Sequence, residues 1–237
     1  MQPIYTPEEL LCNNPYPGRG IVIGKTPDGT KAAVAYFIMG RSANSRNRVF
    51  TERDGAVFTE PFDASKVEDP SLIIYAALRT WRNFLIVTNG DQTDTVYDGV
   101  KGGLSFAGAL QSRCFEPDAP NYTPRISGML TFRQKEFTYE MSLLRSADDQ
   151  GSACERFTFS FEPLPGLGHF LHTYVGDGSP LPSFRGEPER MAIPDGIDEL
   201  TRRLWDALNP ENRISLYVRY VDLTTGEAES RLINKNA

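Results

Sequence analysis

Three arginines, two asparagines and two serines lie within the eight residues that follow Gly40. They come shortly after residues 34–38, an apolar, β-branched and aromatic run that is typical of a buried strand. A guanidinium group donates two parallel hydrogen bonds to phosphate oxygens, and serine and asparagine side chains satisfy the remaining acceptors. Residues 41–48 therefore predict a loop at a strand end that binds a phosphorylated small molecule. The alternative is a solvated, arginine-rich surface turn.

A second polar segment, Asn89-Gly90-Asp91, follows residues 84–88, another run typical of a buried strand. An asparagine at a strand end can hydrogen-bond a heterocycle or a ribose, and Asp94 could orient it. The alternative is an ordinary turn in which Asp94 caps the helix that follows.

Two carboxylates, Glu116 and Asp118, lie on the segment 116–125, whose three prolines exclude regular structure. A stiffened loop can hold a carboxylate in place for proton transfer. The alternative is a solvated acidic loop. Tyr75 lies on a predicted helix, where the ordinary interpretation is a core ring with its hydroxyl at the surface.

His169 and His172 are the only histidines of the sequence. They have too few cysteine or carboxylate partners nearby to form a zinc site, so the sequence predicts no metal ion. One of them could still contact a ligand from the glycine-rich stretch that contains both. Gly18-Arg19-Gly20 matches half of a dinucleotide-binding loop, but no helix or acidic partner follows at the required distance, so the match is accidental.

These residues need a scaffold, which the hydrophobic pattern predicts. A turn containing Asp28-Gly29 joins the predicted strand 21–24 to the strand 34–38 as a hairpin. One helix is predicted from Asp69, its cap, through Trp81. Further helices are predicted at 6–10, 95–110 and 195–208, further strands at 57–58, 126–133, 137–144, 155–161 and 213–223, a long surface loop at 165–189 and a polar tail. This order predicts one α+β domain over residues 1–237, with two sheets and helices packed outside them.

The composition fits a folded protein with a sizeable core, because 40% of its 237 residues are hydrophobic. A net charge of −6 argues against a general nucleic-acid binder, which needs a basic face. The three cysteines are scattered and indicate no disulfide framework. The sequence shows neither a basic, apolar leader nor a run long enough to span a membrane. It therefore predicts a soluble, cytoplasmic protein without a membrane partner.

Several short blocks keep a fixed order along the chain. They are Gly40-Arg41-Ser42 through Asn47-Arg48, Ile74-Tyr75, Val87-Thr88-Asn89-Gly90 through Thr93-Asp94, Phe115-Glu116-x-Asp118, Thr123-Pro124-Arg125-Ile126 and Thr173-Tyr174. Each block alone is a weak motif, but the ordered set resembles the archaeal-type IMP cyclohydrolase family.

The resemblance implies a four-layer αββα sandwich like that of the N-terminal-nucleophile hydrolases, with two mainly antiparallel sheets. It also implies the last step of purine synthesis, in which formylated aminoimidazole carboxamide ribotide is closed to IMP with loss of water. No cofactor is expected, the expected partner is a small purine ribonucleotide, and a homo-oligomer is compatible with the resemblance.

The family's catalytic arginine, tyrosine and glutamate fall by motif on Arg48, Tyr75 and Glu116. Arg46 is an alternative to Arg48, because the segment between Arg41 and Arg48 is longer than in the archaeal pattern. Arg41, Arg125 or both would hold the phosphate. The residues expected to bind substrate are Arg41, Ser42, Arg46, Asn47, Asn89, Gly90, Asp94, Asp118, Arg125, His172 and Tyr174.

Two other functions compete with ring closure. One is an amide hydrolase on the same scaffold, which would need Cys12 exposed as a new first residue by cleavage after Leu11. The other is a non-catalytic sensor that binds a purine nucleotide without converting it.

Overall fold

The computed structural model describes residues 3–67 and 74–236, whose strands form two antiparallel sheets. The strands of the six-stranded sheet are β1 (Arg19–Lys25), β2 (Lys31–Met39), β10 (Leu167–His172), β11 (Glu189–Ala192), β12 (Arg213–Asp222) and β13 (Ala228–Asn234), in the spatial order β11-β10-β1-β2-β12-β13. The strands of the seven-stranded sheet are β3 (Arg48–Arg53), β4 (Ala56–Pro61), β5 (Tyr75–Trp81), β6 (Phe84–Thr88), β7 (Arg125–Arg133), β8 (Glu136–Ser146) and β9 (Cys154–Phe161), in sequence order.

Helices cover the outer face of each sheet. The α-helices of the described residues are α1 (Pro7–Leu11), α2 (Ala43–Arg46), α3 (Gln92–Lys101), α4 (Phe106–Ala109) and α5 (Ile197–Ala207). Helix α2 has no buried residue and is not part of either outer layer. Helices α1 and α5 share an apolar core with the six-stranded sheet, and α3 and α4 share one with the seven-stranded sheet. A third core, the largest, fills the space between the sheets. The expected α+β class with two antiparallel sheets is confirmed, and the likeness to N-terminal-nucleophile hydrolases stays a prediction.

The hairpin of β1 and β2 is confirmed and lies in the middle of its sheet. All seven residues of β1 are buried. Ile21 and Ile23 face the other sheet, whereas Val22 faces the helices, so both faces of the strand are covered. This double burial explains why the sequence reads as a continuous apolar run rather than an alternating one.

Helix α5 is confirmed, and one apolar face holds it on the sheet. Ile197, Leu200 and Leu204 are buried there. Full burial of such a side chain stabilises the fold by about 1.5–3 kcal/mol. The short N-terminal helix packs beside it, and Glu8 accepts hydrogen bonds of 2.9 and 2.7 Å from Arg203.

The predicted helix from Asp69 to Trp81 is wrong over its described part. Residues 75–81 form β5, which pairs with β4 and β6 on its two sides, so Tyr75 lies on a strand. Apolar residues at 75–78 fit a helix and a buried strand equally well, and the two neighbouring strands decide the outcome. The start of this prediction, at residues 68–73, lies outside the described residues.

The predicted loop at 165–189 is wrong for its first part, which is β10. A Cβ added at Gly24 would lie 2.5 Å from the Cα of Gly168, so these glycines serve a close approach of two strands rather than a turn. Strand β11 begins at Glu189, the last residue of the predicted loop, and the expected polar tail contains the edge strand β13.

The predicted helix 95–110 is interrupted. Helix α3 ends at Lys101, Gly103 has a φ of 87°, and Ser105 caps the separate helix α4. The strands predicted near 57, 126, 137, 155 and 213 are confirmed as β4, β7, β8, β9 and β12. Within residues 3–67 and 74–236, no helix has both the length and the apolar character that crossing a bilayer requires.

Candidate functional site

A pocket of about 310 Å³ opens at the end of the sandwich where β1 begins and β2 ends. We call it the site pocket. Its lining includes Tyr16, Arg19, Arg41, Ser42, Asn44, Arg48, Glu116, Asp118, Thr123 and Tyr174. The structure thus brings together two of the three residues expected to be catalytic, Arg48 and Glu116, with four of those expected to bind substrate: Arg41, Ser42, Asp118 and Tyr174.

A larger cavity, of about 740 Å³, lies at the opposite end of the sandwich. It is lined by turn residues such as Gly55 and Thr224 and by the buried Arg219, whose guanidinium already donates to Glu52 at 2.8 Å. None of the expected site residues lines this cavity.

The arginine-rich segment is not a plain loop, because a serine folds it into one helical turn. The Ser42 side chain accepts a hydrogen bond from the backbone N–H of Ser45 at 3.1 Å, and the Ser45 hydroxyl accepts one from the N–H of Ser42 at 3.0 Å. This reciprocal cap fixes α2. It leaves Arg41, Ser42, Asn44 and Ser45 on the wall of the site pocket.

Arg48, the first residue of β3, is buried and held by the backbone. Its Nε donates to the Ser45 carbonyl at 2.7 Å and its Nη2 to the Met39 carbonyl at 2.8 Å. Its Nη1 has no hydrogen-bond partner within the described part of the chain. Arg46 instead donates to Gly40 and Asn212 and does not line the pocket. The geometry therefore favours Arg48 over Arg46 for contact with a ligand.

Glu116 forms a buried, two-point ion pair with Arg19. The Nη1–Oε1 and Nη2–Oε2 distances are 2.9 and 3.0 Å. Burial raises the pKa of Glu116, and the charges of Arg19 and Arg125 oppose that rise. Burial alone would lower the pKa of Arg19, but the Glu116 carboxylate and, to a smaller extent, neighbouring tyrosines together raise it well above its usual value. Arg19 thus stays charged, whereas Glu116 holds its proton more readily than an exposed glutamate does.

Sequence reasoning missed Arg19 because Gly18-Arg19-Gly20 matches only half of a nucleotide-binding motif. The usable signal was different. Arg19 is the first residue of a strand whose central residues are all apolar, and a cation that is buried with such a strand requires an anion. Arg19 also donates to the Asn89 carbonyl at 3.3 Å, which connects the two sheets above the core.

Asp118 is a structural acceptor rather than a free carboxylate. Its Oδ1 accepts a hydrogen bond from the Thr123 N–H at 2.7 Å, and its Oδ2 bonds the Thr123 hydroxyl. That hydroxyl also bonds the Tyr174 phenol. Burial raises the pKa of Tyr174, so the ring stays neutral and stacks on Tyr16, with centroids 5.9 Å apart.

Tyr75 does not line the site pocket, although it lies near the same charges. Its hydroxyl bonds the Tyr36 hydroxyl at 2.8 Å in the core between the sheets. Burial and the neighbouring Tyr75 raise the pKa of Tyr36 well above its usual value, against the charges of Arg19 and Arg48. Tyr36 therefore remains a neutral phenol next to the pocket arginines.

Asn89 and Gly90 lie in the wall behind the pocket. The Asn89 amide is occupied by the backbone, since its Oδ1 accepts from the Ile126 N–H at 2.9 Å and its Nδ2 donates to the Pro124 carbonyl at 2.9 Å. A Cβ at Gly90 would lie 2.6 Å from Nη1 of Arg125, so glycine is required for that arginine to pass. Arg125 donates to Gln92 and Asp91, at 2.6 and 2.7 Å, and does not line the pocket.

Asp94, Asn47 and His172 serve the fold outside the pocket. Asp94 is exposed and pairs with Arg79 at 2.6 Å, so it does not orient Asn89. The Asn47 side chain bonds the backbone N–H and carbonyl of Asp63 at 2.7 and 2.8 Å. His172 bonds the Tyr174 carbonyl through Nδ1 at 2.7 Å.

The other histidine and the cysteine of the competing hydrolase function also lie elsewhere. His169 bonds the Tyr139 hydroxyl at 2.6 Å, and burial lowers its pKa to about 4. Cys12 is exposed and does not line the site pocket. Within residues 3–67 and 74–236, no cluster of three or more histidine, cysteine or acidic side chains could hold a metal ion.

Comparison with known proteins identifies relatives of this chain. A sequence model of the family described as IMP cyclohydrolase-like protein matches residues 16–227. A protein of Methanococcus aeolicus named IMP cyclohydrolase is 34% identical over 164 residues, which are 67% of this chain and 74% of that protein.

Two other relatives with the same name match over a shorter stretch. The protein of Methanopyrus kandleri is 37% identical over 115 residues, which are 47% of this chain and 57% of the relative. The protein of Methanothrix thermoacetophila is 32% identical over 124 residues, which are 50% of this chain and 59% of the relative. These two matches thus cover less than two thirds of the relatives' length. The family model spans most of the residues that build the sandwich and its pocket, and the chain belongs to the IMP cyclohydrolase-like family.

Proposed function

We propose that this protein closes formylated aminoimidazole carboxamide ribotide to IMP and releases water. The observation that carries the proposal is the site pocket, where Arg41, Arg48 and the buried Glu116 face one space. The family model matches residues 16–227, and three relatives in that family carry the name IMP cyclohydrolase. The proposed substrate is therefore a small purine ribonucleotide.

The reaction needs a proton acceptor and a stabiliser of negative charge. The carboxamide nitrogen attacks the formyl carbon, and the formyl oxygen gains negative charge. As the new C–N bond forms and the C–O bond breaks, the two nitrogens bonded to the formyl carbon each lose one proton, and the oxygen takes up two and leaves as water. Glu116 accepts the nitrogen's proton and returns one to the leaving hydroxyl. Because burial raises the pKa of Glu116, the group is a stronger base than an exposed glutamate and holds the proton that it must return.

Arg48 is the group that we assign to the developing charge on oxygen. Two of its nitrogens are fixed by backbone carbonyls, so the remaining Nη1 is pre-oriented before substrate binds. Such fixed donors reduce the reorganisation that the transition state requires. The substrate carries both reacting arms on one ring, so holding the two arms in the attacking geometry contributes to the rate.

A phenol is the remaining hydrogen-bond donor of the proposed mechanism. The resemblance indicates Tyr75, and the hydrogen bond between Tyr75 and Tyr36 makes this a pair of phenols rather than one residue. We propose that Tyr75 supports the oxygen's protonation through this pair.

Ring closure can be followed as an ultraviolet change after the formylated ribotide is added, with IMP identified by mass. We expect Glu116→Gln to reduce kcat by about 10²-fold or more, because proton transfer contributes about 10²–10⁴-fold. Arg48→Ala should reduce kcat by about 10²–10³-fold. Tyr75→Phe should reduce it as well. Arg46→Ala is the comparison for Arg48→Ala, and an equal loss in both would contradict the assignment to Arg48.

Two results would reject the proposal. A folded wild-type protein that forms no IMP is not a cyclohydrolase. A protein that binds IMP tightly without turnover, and whose Glu116→Gln variant behaves as the wild type does, is a nucleotide sensor.

A further inference from the structure

A loop beside the site pocket, residues 175–182, is held at its base by backbone contacts and on its pocket side by a side chain. At the base, Tyr174 and Ser183 form an isolated antiparallel bridge, and the Val175 N–H donates to the Pro182 carbonyl at 3.0 Å. On the pocket side, the Leu181 N–H donates to Oδ1 of Asn121 at 3.0 Å, and both residues line the pocket. We call this segment the tip loop.

The tip of this loop is bound to a pocket arginine. The Asp177 carboxylate forms an ion pair with Nη1 of Arg41, and the Gly178 carbonyl accepts a hydrogen bond from the same nitrogen at 2.9 Å. The Arg41 guanidinium lies over the Tyr16 ring, 5.0 Å from its centroid. Two loop oxygens thus occupy the position at which an anionic ligand would meet Arg41.

The other arginines of this region have partners that a ligand cannot easily displace. Arg19 is paired with the buried Glu116, and Arg48 is held by two backbone carbonyls. Arg125 lies outside the pocket, paired with Asp91. The Arg41–Asp177 pair is different, since 36% of the Arg41 side chain and 47% of the Asp177 side chain are exposed. Exposed pairs of this kind are weak, so a ligand can compete for Arg41.

We propose that Asp177 is an internal substitute for the ligand's phosphate, which displaces it from Arg41 and frees the tip loop. This inference rests on the proposed function for the identity of the ligand, a nucleoside monophosphate. A phosphate presents two or more oxygens to a guanidinium, as the Asp177 carboxylate and the Gly178 carbonyl do together. Its second negative charge gives it the advantage over one carboxylate.

The test measures IMP binding by calorimetry at constant ionic strength. Asp177→Asn should tighten IMP binding by about two- to fivefold, the factor that corresponds to losing one weak exposed ion pair. Asp206→Asn is the matched control. Asp206 is also an exposed aspartate in an ion pair, with Arg202 on α5, and its loss changes the net charge equally. This control should bind IMP as the wild type does.

The Arg41→Ala background separates competition for Arg41 from a general effect of local charge. There, Asp177→Asn should have no effect on IMP binding, whereas a purely local field would still tighten it. Unchanged or weaker binding by Asp177→Asn in the otherwise wild-type protein, or equal tightening in both backgrounds, would overturn the proposal.

A titration with inorganic phosphate distinguishes this failure from failure of the proposed function. If no variant binds IMP but Asp177→Asn binds phosphate more tightly than the wild type, the displacement of Asp177 stands and the nucleotide function falls. If the wild type binds IMP, and Asp177→Asn changes neither the affinity for IMP nor that for phosphate, the proposed function is retained and the displacement of Asp177 is rejected.

Discussion

Removing Arg19 should destabilise the protein through the carboxylate left behind. Arg19 and Glu116 share two hydrogen bonds of 2.9 and 3.0 Å, and their side chains are only 10% and 5% exposed. Breaking such a buried pair by removing one partner typically costs about 3–5 kcal/mol. We expect Arg19→Met to lie near the low end, at about 3 kcal/mol, because Arg125 also stabilises the charge on Glu116.

The free energy of unfolding of Arg19→Met should depend on pH through the unpaired Glu116, whereas that of Glu116→Leu lacks this dependence. Without Arg19, the folded-state pKa of Glu116 rises further above its unfolded value of about 4.3. Below that value the carboxyl is neutral in both states and the penalty is small. As pH rises through the folded-state pKa, the penalty grows and then becomes constant. Glu116→Leu leaves a guanidinium that stays charged throughout, so the free energy of unfolding of this variant should show no titration of the pair over the same range.

Urea denaturation at a series of pH values measures both effects, with the double variant Arg19→Met/Glu116→Leu closing the cycle. The double variant should cost less than either single variant, since it leaves no unpaired buried charge. A penalty for Arg19→Met that stays below about 1 kcal/mol where Glu116 is charged, or that is the same at all pH values, would refute a buried, mutually dependent pair.

Three further predictions concern the scaffold. Because burial lowers the pKa of His169 to about 4, this residue stabilises the fold fully above a pH of about 6.5, and the stabilisation is lost as the pH falls towards 4. We therefore expect His169→Gln to be less sensitive to acid than the wild type in urea titrations. Gly24→Ala should lower the free energy of unfolding by about 1–3 kcal/mol, because the new Cβ would lie 2.5 Å from the Cα of Gly168. Asn234→Ala should lower it by about 1–3 kcal/mol, since the amide bonds the buried Phe50 N–H and carbonyl at 2.8 and 3.0 Å.

Matched measurements decide each of these three. Gly196→Ala is the control for Gly24→Ala, because its added Cβ would meet no atom nearer than 3.9 Å. Equal thermal stability of the two variants would contradict the close approach of β1 and β10. An unchanged acid profile in His169→Gln, or a wild-type melting temperature in Asn234→Ala, would contradict the corresponding contact.

The sequence predicts the scaffold well where periodicity and turn chemistry agree. The hairpin of β1 and β2 and the amphipathic α5 are such cases. It fails for β5, where an apolar run fits two periods and only the neighbouring strands decide, and for β10, where glycines that permit close strand packing look like loop residues. These outcomes depend on contacts between distant parts of the chain, which no local pattern contains.

In the candidate site, too, the residues with a local sequence signal could be predicted, whereas contacts between distant parts of the chain could not. The arginine-rich segment that contains Arg48 and the proline-rich segment that contains Glu116 could be picked from the sequence, because both are local features, whereas their catalytic assignment came from the resemblance. Their placement in one pocket is a property of the whole sandwich. The partner Arg19 lies 97 positions from Glu116, and the Asp177 contact lies 136 positions from Arg41, so neither could be read from spacing.

The key pairs at this end of the molecule each draw one member from either sheet. Arg19 and Tyr36 belong to the six-stranded sheet, whereas Tyr75 and the loop of Glu116 belong to the seven-stranded one. Consider a partly folded form in which one sheet is displaced against the other by about 3 Å, the length of one hydrogen bond. This form would keep its strands and its far-ultraviolet circular dichroism spectrum. It would nonetheless lose the Arg19–Glu116 ion pair and the Tyr36–Tyr75 hydrogen bond. Whether the protein has reached its native state therefore has to be judged from contacts between the two sheets, and not from secondary-structure content.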